Sequence, residues 1–529
     1  MTKVHGEQGQ SPLPDDGFGN LGRSGVAVWV PPGVYRITKM LQIQQSNVVV
    51  RGAGINRTVL YFPDGLKELY GDVMEWQWEG GFLNILGPEI NSSQAAYRLG
   101  YLTASVTKGA TRLPVTTADR FRQGQWVRLW ATNPTGQPAQ AANSSSGTTG
   151  RRRQRRLLAR QRAAGDWVEQ RRHPRQLLAT DTASRAVVQT GDSKAQDSSL
   201  DAYLYGYEAS AKATDPFPLE RLRFASRVAA VGEGWIELER PLPLDLHVDW
   251  QVEVHEFKQA VQHSGWEGLT LHFALVPYPA HFTVAGMNGF YLTGAANCWV
   301  RDVHIINADQ GAEAINTDFT TLQGISLGFT GKRRVASDLR GDGHHGLWTA
   351  YSSNNLITQF AVHGSFQHDI TLDVYAQECV VSNGSGLSLT MDMHRGGIFN
   401  NLWTYIDLGF GSRPLQSGGS AVRGAHAGAN NTWWNLRARS DRQLRLPPCN
   451  FGPLLNFIGP PWRAPVATAV TAGSAAGASD NKTLPDGSTP SSPACASWMV
   501  EATGSGVALQ PPDLHLAMRS RRLLHRGLL

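Results

Sequence analysis

The sequence predicts an all-β chain wound as a solenoid. Three observations carry that prediction. Charged residues make up only 17% of the 529 residues, while there are 56 Gly and 16 Trp; this fits neither a coiled coil nor a fully disordered chain. Residues 26–62 fall into short β-rich runs (AVWV, YRIT, LQI, NVVVRG, TVLYF) split by Pro, Gly and Asn, with no helical period. Residues 265–440 carry an imperfect repeat: VRDV at 300–303, LQGI at 322–325, ITQF at 357–360, VSNG at 381–384 and FNNL at 399–402, at spacings of 22, 35, 24 and 18. The long spacing holds the polar segment GKRRVASDLRGDG, which accounts for its excess. Strand-like units at such a period, with Asn and Gly at the turns, mark a β-solenoid. Leucine-rich repeats share the period, but their Leu/Asn pattern is absent. Asn at successive turns predicts ladders of stacked amides.

The chain divides accordingly. Residues 1–25 read as a disordered or truncated N-terminus, and 26–100 as the first coils. Residues 101–257 read as a small β subdomain, because 101–130 and 221–257 resemble paired β segments. Within it, 131–200 is a low-complexity, Arg-rich insertion. Residues 258–460 hold the main coils and the candidate site, and 461–529 read as a low-complexity linker and a basic, unstructured tail.

Charge and cysteine content exclude several classes. The net charge is +6, but residues 151–175 hold ten Arg against Asp166 and Glu169, so the rest of the chain is mildly acidic. The basic character belongs to one segment, which reads as a tolerated insertion, and no nucleic-acid partner is expected. No apolar run reaches the ~18–20 residues of a membrane span. The four cysteines, Cys298, Cys379, Cys449 and Cys495, form no CxxC pair and read mainly as buried packing, with a Cys449–Cys495 bridge as the alternative. A monomer is expected. Six N-x-[ST] sequons permit secretion without requiring it.

VWVPPGVYRITKMLQIQQSNVVVRGAG, with its PPGxY strand followed by VxxRGAG, resembles the opening coils of the pectate-lyase-like superfamily. GMNGFYLTGAANCWVRDVHIINADQG resembles the same group, and the similarity covers roughly 25–130 and 220–440. The resemblance implies a right-handed parallel β-helix acting on a polysaccharide as lyase, hydrolase or epimerase. An acidic, uronate-containing glycan and a secreted or cell-wall location follow from it as expectations; a non-catalytic glycan-binding or cell-wall solenoid is the alternative. Fold does not fix the reaction. The paired NTD, DD, GHG and RIK motifs of polygalacturonases are absent, GHHG at 343–346 being only an echo. The Asp-rich calcium site and RxPxxR motif of the main pectate lyases, and the DPH signature of alginate epimerases, are absent too. The resemblance also implies a segment before the first coil, often with a capping helix. None is visible, nor is the apolar stretch of a signal peptide, so an incomplete N-terminus is expected.

The residues that can carry chemistry lie in GDGHHGLW (341–348), QHDITLD (367–373) and TMDMHR (390–395). His345 and His368 are 23 residues apart, as are Asp369 and Asp392. At that period, such residues stack on adjacent rungs, ~4.8 Å apart. The candidate catalytic set is therefore His345, His368, Asp369, Asp392, His394 and Arg395. His345 or His368 serves as base, the Asp pair as acid or cation site, and Arg395 as binder of a substrate carboxylate. Two carboxylates one rung apart repel, which raises one pKa and places an acid beside a base. His344, Trp348, Asp309, Arg423 and His426 are candidate substrate-binding residues, with Glu313 extending the patch. The last two lie in or beside 413–435, a Gly-rich loop that can wall a cleft. Trp403, Trp433 and Trp434 can stack on sugars or fill the core. No cofactor is assigned. Calcium held by Asp369, Asp373 and Asp392 is one metal reading; a transition metal is another, but no HExxH spacing supports it, and no metal ligand is assigned.

Overall fold

The computed structural model describes residues 25–87, 97–131, 200–205, 222–257, 261–439, 444–459, 462, 497–502 and 509–525. Most of the Arg-rich insertion, the first 24 residues and Cys495 lie outside them.

The chain is a right-handed parallel β-helix. One sheet runs through Val26–Val30, Val48–Gly52, Gly265–Phe273, Trp299–Ile306, Thr321–Gly328, Leu356–Thr358, Val380–Gly386, Leu402–Asp407, Thr432–Trp434, Asn456–Gly459 and Met499–Ala502. The second runs through Leu41–Ile43, Leu83–Leu86, Asn288–Ala296, Gln310–Asp318, Gly343–Ala350, Phe366–Leu372 and Met391–Met393. Each strand pairs with strands one coil away, so every rung buries its inward side chains on those above and below.

The inward stack sets the register. Trp266, Val300, Leu322, Ile357, Val381, Trp403, Trp433 and Phe457 lie opposite one another in order, all buried. The Trp433 and Phe457 rings stack at 4.6 Å. Four repeat anchors expected from sequence head the strands of this stack. The fifth, FNNL, is out of register: Trp403 takes its place, because Phe399 is packed into the core of the subdomain. Trp403 and Trp433 are therefore core side chains, not sugar platforms.

The turns explain the Asn content. Asn297, Phe319, Asn354, Glu378, Asn400, Asn430 and Leu454 each take positive φ at successive coils. Asn tolerates that conformation best among residues with a side chain. The residue after the turn builds the ladder. Thr320 N–H donates to Asn355 Oδ1 at 2.9 Å, Cys379 N–H to Asn401 Oδ1 at 2.8 Å, and Asn401 N–H to Asn431 Oδ1 at 3.1 Å.

A six-stranded antiparallel sheet forms a subdomain with its own core: Arg98–Tyr101, Glu253–Glu256, Trp126–Ala131, Leu222–Gly232, Trp235–Leu238 and Arg112–Pro114. Charged contacts fasten it to the helix turns. Arg128 pairs with the buried Asp318, and Arg240 with Glu378 at 2.9 Å. Past residue 460 the reading of linker and tail is corrected where the chain is described. Met499–Ala502 adds a strand, and Leu514–His525 is a helix whose Asp513 accepts from Leu516 N–H at 3.2 Å. Backbone pairing and this cap supply what composition did not signal. Cys298 and Cys379 are buried free thiols, and Cys449 is disulfide-bonded.

Asn401→Ala strips the Cys379 amide of its acceptor and the Ala376 and Phe399 carbonyls of a donor. It should cost about 2–3 kcal/mol in denaturant unfolding. Asn400→Gly, which keeps the turn conformation, should cost under about 1 kcal/mol.

Candidate functional site

The same register builds the site. On adjacent rungs of the second sheet Leu347, Ile370 and Met391 face the core. Their neighbours Trp348, Thr371 and Asp392 face outward. The outward row runs in register from Tyr291 through Glu313, Trp348 and Thr371 to Asp392. His345 pairs with His368, as their spacing predicts, and the rings stack at 4.6 Å. Trp348 stacks on the far side of His345 at 4.4 Å.

Asp392 is the hub. Its Oδ2 lies 2.7 Å from His368 Nδ1 and 2.7 Å from His394 Nδ1. Its Oδ1 accepts the Gly418 N–H at 2.8 Å. His345 Nδ1 lies 3.0 Å from Thr371 Oγ1, and His344 Nδ1 lies 3.0 Å from the Gln77 carbonyl oxygen. The Nε2 atoms of His344 and His345 are buried with no hydrogen-bond partner among the described residues. His281 completes the group: its Nε2 lies 3.2 Å from His368 Nε2.

Three segments cover this outer face. Trp78 packs over His344 at 5.2 Å. The 278–284 segment brings His281 to within 5.0 Å of the His344 ring, with Phe282 beside it. Gly418, in the Gly-rich loop, sits so close that a Cβ would meet His394 Cε1 at 2.6 Å and His368 Cε1 at 2.8 Å. As a result His344, His345 and Asp392 have 0% exposure, while His368 and His394 keep 7% and 6%. Phe282, 56% exposed, and the half-buried Trp78 present aromatic surface here, their rings 5.3 Å apart.

Burial, then the neighbouring imidazoles, pushes His344 and His345 well below the ordinary histidine range, and His281 down to about 4. Burial opposes ionisation of Asp392, but His394 and His368 outweigh it and hold the carboxylate far below its usual range. Burial works against a charged His394, yet Asp392 and Asp373 raise it. Glu313 is raised well above the carboxylate range by burial and by Glu79 nearby, and neither of its oxygens has a hydrogen-bond partner among the described residues.

The structure thus gathers His344, His345, His368, Asp392, His394 and Trp348. It separates others. Asp369 does not lie beside Asp392: this coil is shorter, Asp392 pairs with Thr371, and the Asp369 carboxylate accepts from Phe366 N–H, Thr390 N–H and Arg413 Nη2. Asp309 is held by Arg333 at 2.6 Å and by Met287 N–H. Arg395 donates to the Gly424 carbonyl and sits 2.9 Å from His426 Nε2; Arg423 lies 3.6 Å from Asp373. Burial and then Arg395 bring His426 down to about 4. Trp348 lies under Trp78 instead of facing a ligand. Asp369, Asp373 and Asp392 do not form one ligand cluster; among the described residues, only His281–His344–His368 and His368–Asp392–His394 can hold an ion. Sequence reasoning missed His281, Trp78 and Glu79, which reach the site from loops with no period. Glu313, expected to extend the patch, lies on the outward row opposite Trp348.

No family model matches the chain, and no curated protein matches it by sequence. Among solved structures, the tailspike of Pseudomonas phage phi297 is similar at 10% identity and a TM-score of 0.40, over 83% of this chain and 61% of that one. The tailspike of Pseudomonas phage LKA1 is similar at 10% identity and a TM-score of 0.39, over 84% and 62%. An exopolygalacturonase from Thermotoga maritima follows at 9% identity and a TM-score of 0.24, over 83% and 68%. The chain spans about three fifths of the length of these two tailspikes.

Gly418→Ala should push the loop off both imidazoles at a cost of about 1–3 kcal/mol. The check is the unfolding free energy together with the ring resonances of His368 and His394. Unchanged resonances would mean the loop does not press on the pair.

Proposed function

We propose that the protein cleaves an acidic, uronate-bearing polysaccharide outside the cell by proton transfer at the His368–Asp392–His394 array. The observation that carries the reading is one buried carboxylate oxygen 2.7 Å from the Nδ1 of both imidazoles. A carboxylate only accepts, so both rings carry hydrogen on Nδ1 and turn Nε2 away from Asp392. That arrangement orients a ring for general acid–base work, as the carboxylate of a catalytic triad does. His368 Nε2 is engaged by His281, which makes His394 Nε2 the proton-transfer atom.

Elimination at a uronate needs a base near the ring proton α to the carboxylate, and a positive group that relieves the developing charge. Trp78 and Phe282 border the cluster and offer apolar ring faces to sugar. A polymer meets the cluster at His281, His368 and His394, the imidazoles that keep some exposure. A second reading, hydrolysis, is favoured by one observation: the buried Glu313 carboxyl, pushed well above the carboxylate range by burial and by Glu79, has no hydrogen-bond partner among the described residues, and glycosidases work with two carboxyl groups.

The test is a panel of acidic polysaccharides followed both by ultraviolet absorbance of unsaturated uronate ends and by reducing ends. Asp392→Asn and His394→Gln should each lower kcat by about 10²–10⁴-fold. Phe282→Ala should raise KM with kcat nearly unchanged. Reducing ends without absorbance, lost in Glu313→Gln but not in His394→Gln, would replace elimination by hydrolysis. Cleavage of no member of the panel would sink both.

A further inference from the structure

We propose that His281, His344 and His368 form a binding site for one divalent transition-metal ion. The argument starts from where the ring protons must be. His344 Nδ1 faces the Gln77 carbonyl oxygen and His368 Nδ1 faces the Asp392 carboxylate, both pure acceptors. Each Nδ1 therefore carries a hydrogen, and in the neutral ring each Nε2 carries the lone pair. His344 Nε2 is fully buried with no hydrogen-bond partner among the described residues. An orphaned buried lone pair costs free energy that something must offset. His281 Nε2 stands 3.2 Å from His368 Nε2, and the three residues can bring one ring nitrogen each within 4.8 Å of one another.

These dimensions suit a metal ion. With metal–nitrogen bonds of ~2.0–2.1 Å, the nitrogens of a tetrahedral site lie about 3.3 Å apart, so one pair is already in place and the third ring has at most about 1.5 Å to travel. Three imidazoles select zinc, cobalt, nickel or copper over calcium, which needs an oxygen cage. The Gln77 carbonyl and the Asp392 carboxylate are the outer partners that fix ring orientation in such sites. Three protein ligands leave a fourth position open. On the polysaccharide reading above, that position takes the substrate carboxylate and supplies the positive group the chemistry needs; Arg395 is engaged by Gly424 and His426.

The test uses the full chain and no polysaccharide. Protein stripped with a chelator is titrated with Co²⁺, then with Zn²⁺. The expected result is one Co²⁺ per chain with the visible absorption of a four-coordinate site, displaced by Zn²⁺. His281→Ala, on a half-exposed loop where folding is least at risk, and His344→Gln should each weaken binding by about 10–100-fold or more, and Asp392→Asn by about 10–100-fold. His363→Ala, at an exposed position outside the cluster, should leave affinity unchanged. No stoichiometric Co²⁺ binding, or affinity in His281→Ala and His344→Gln unchanged from the unsubstituted protein, overturns the inference. Tight binding by a protein that cleaves no polysaccharide sinks the proposed function and leaves the metal site standing. Full cleavage by the stripped protein overturns the role given to the metal in that reaction.

Discussion

Everything in this molecule depends on the register of one inward stack. Trp266, Val300, Leu322, Ile357, Val381, Trp403, Trp433 and Phe457 bury their side chains directly over one another. Large apolar side chains cannot slip by one residue without turning every inward group outward, and full burial of each is worth ~1.5–3 kcal/mol. The stack therefore fixes the vertical alignment of all coils. The outward row on the other sheet inherits that alignment. His345 touches His368 because the rung spacing says so.

That inheritance has a cost, which the covering loops make larger. Five imidazoles cluster around His344 and His368 at ring separations between 4.3 and 5.9 Å. They cannot all be protonated in a site from which water is excluded. One carboxylate settles the distribution. Asp392 favours charge on His394, while His344, His345 and His281 are driven toward the neutral form. The cluster thereby sets the Asp392–His394 pair on one side against the lone-pair-rich imidazoles around His344 on the other.

The solenoid and half of the cluster were legible in the sequence because both follow from periodicity. VRDV, LQGI, ITQF and VSNG fall on register positions that strand pairing respects. The spacing of His345 and His368 marked a contact for the same reason. Periodicity failed where coil length changed. The coil after Asp369 is shorter, so equal spacing in sequence did not mean adjacency, and Asp369 serves Arg413 and two backbone amides instead. FNNL failed because Phe399 leaves the helix core for the subdomain. His281 and Trp78 were invisible for a different reason: they sit on loops, where neither period nor burial marks a residue before the fold is known.

The covering segments then decide what the site can do. A flat outer face of a β-helix would leave the row from Tyr291 to Asp392 in water, where imidazoles titrate independently and a carboxylate is a weak hydrogen-bond partner. Trp78, Phe282 and Gly418 close over it from three separate parts of the chain. Closure strengthens the Asp392 contacts, since the same charges interact more strongly once solvent is excluded. It also places a ligand-grade nitrogen, His281 Nε2, on a covering segment opposite another, His368 Nε2, on the sheet. Any cation held between them ties the cover to the scaffold. The position of the 278–284 segment and the charge state of the cluster are therefore one coupled property, and a group that binds at the centre must act on both.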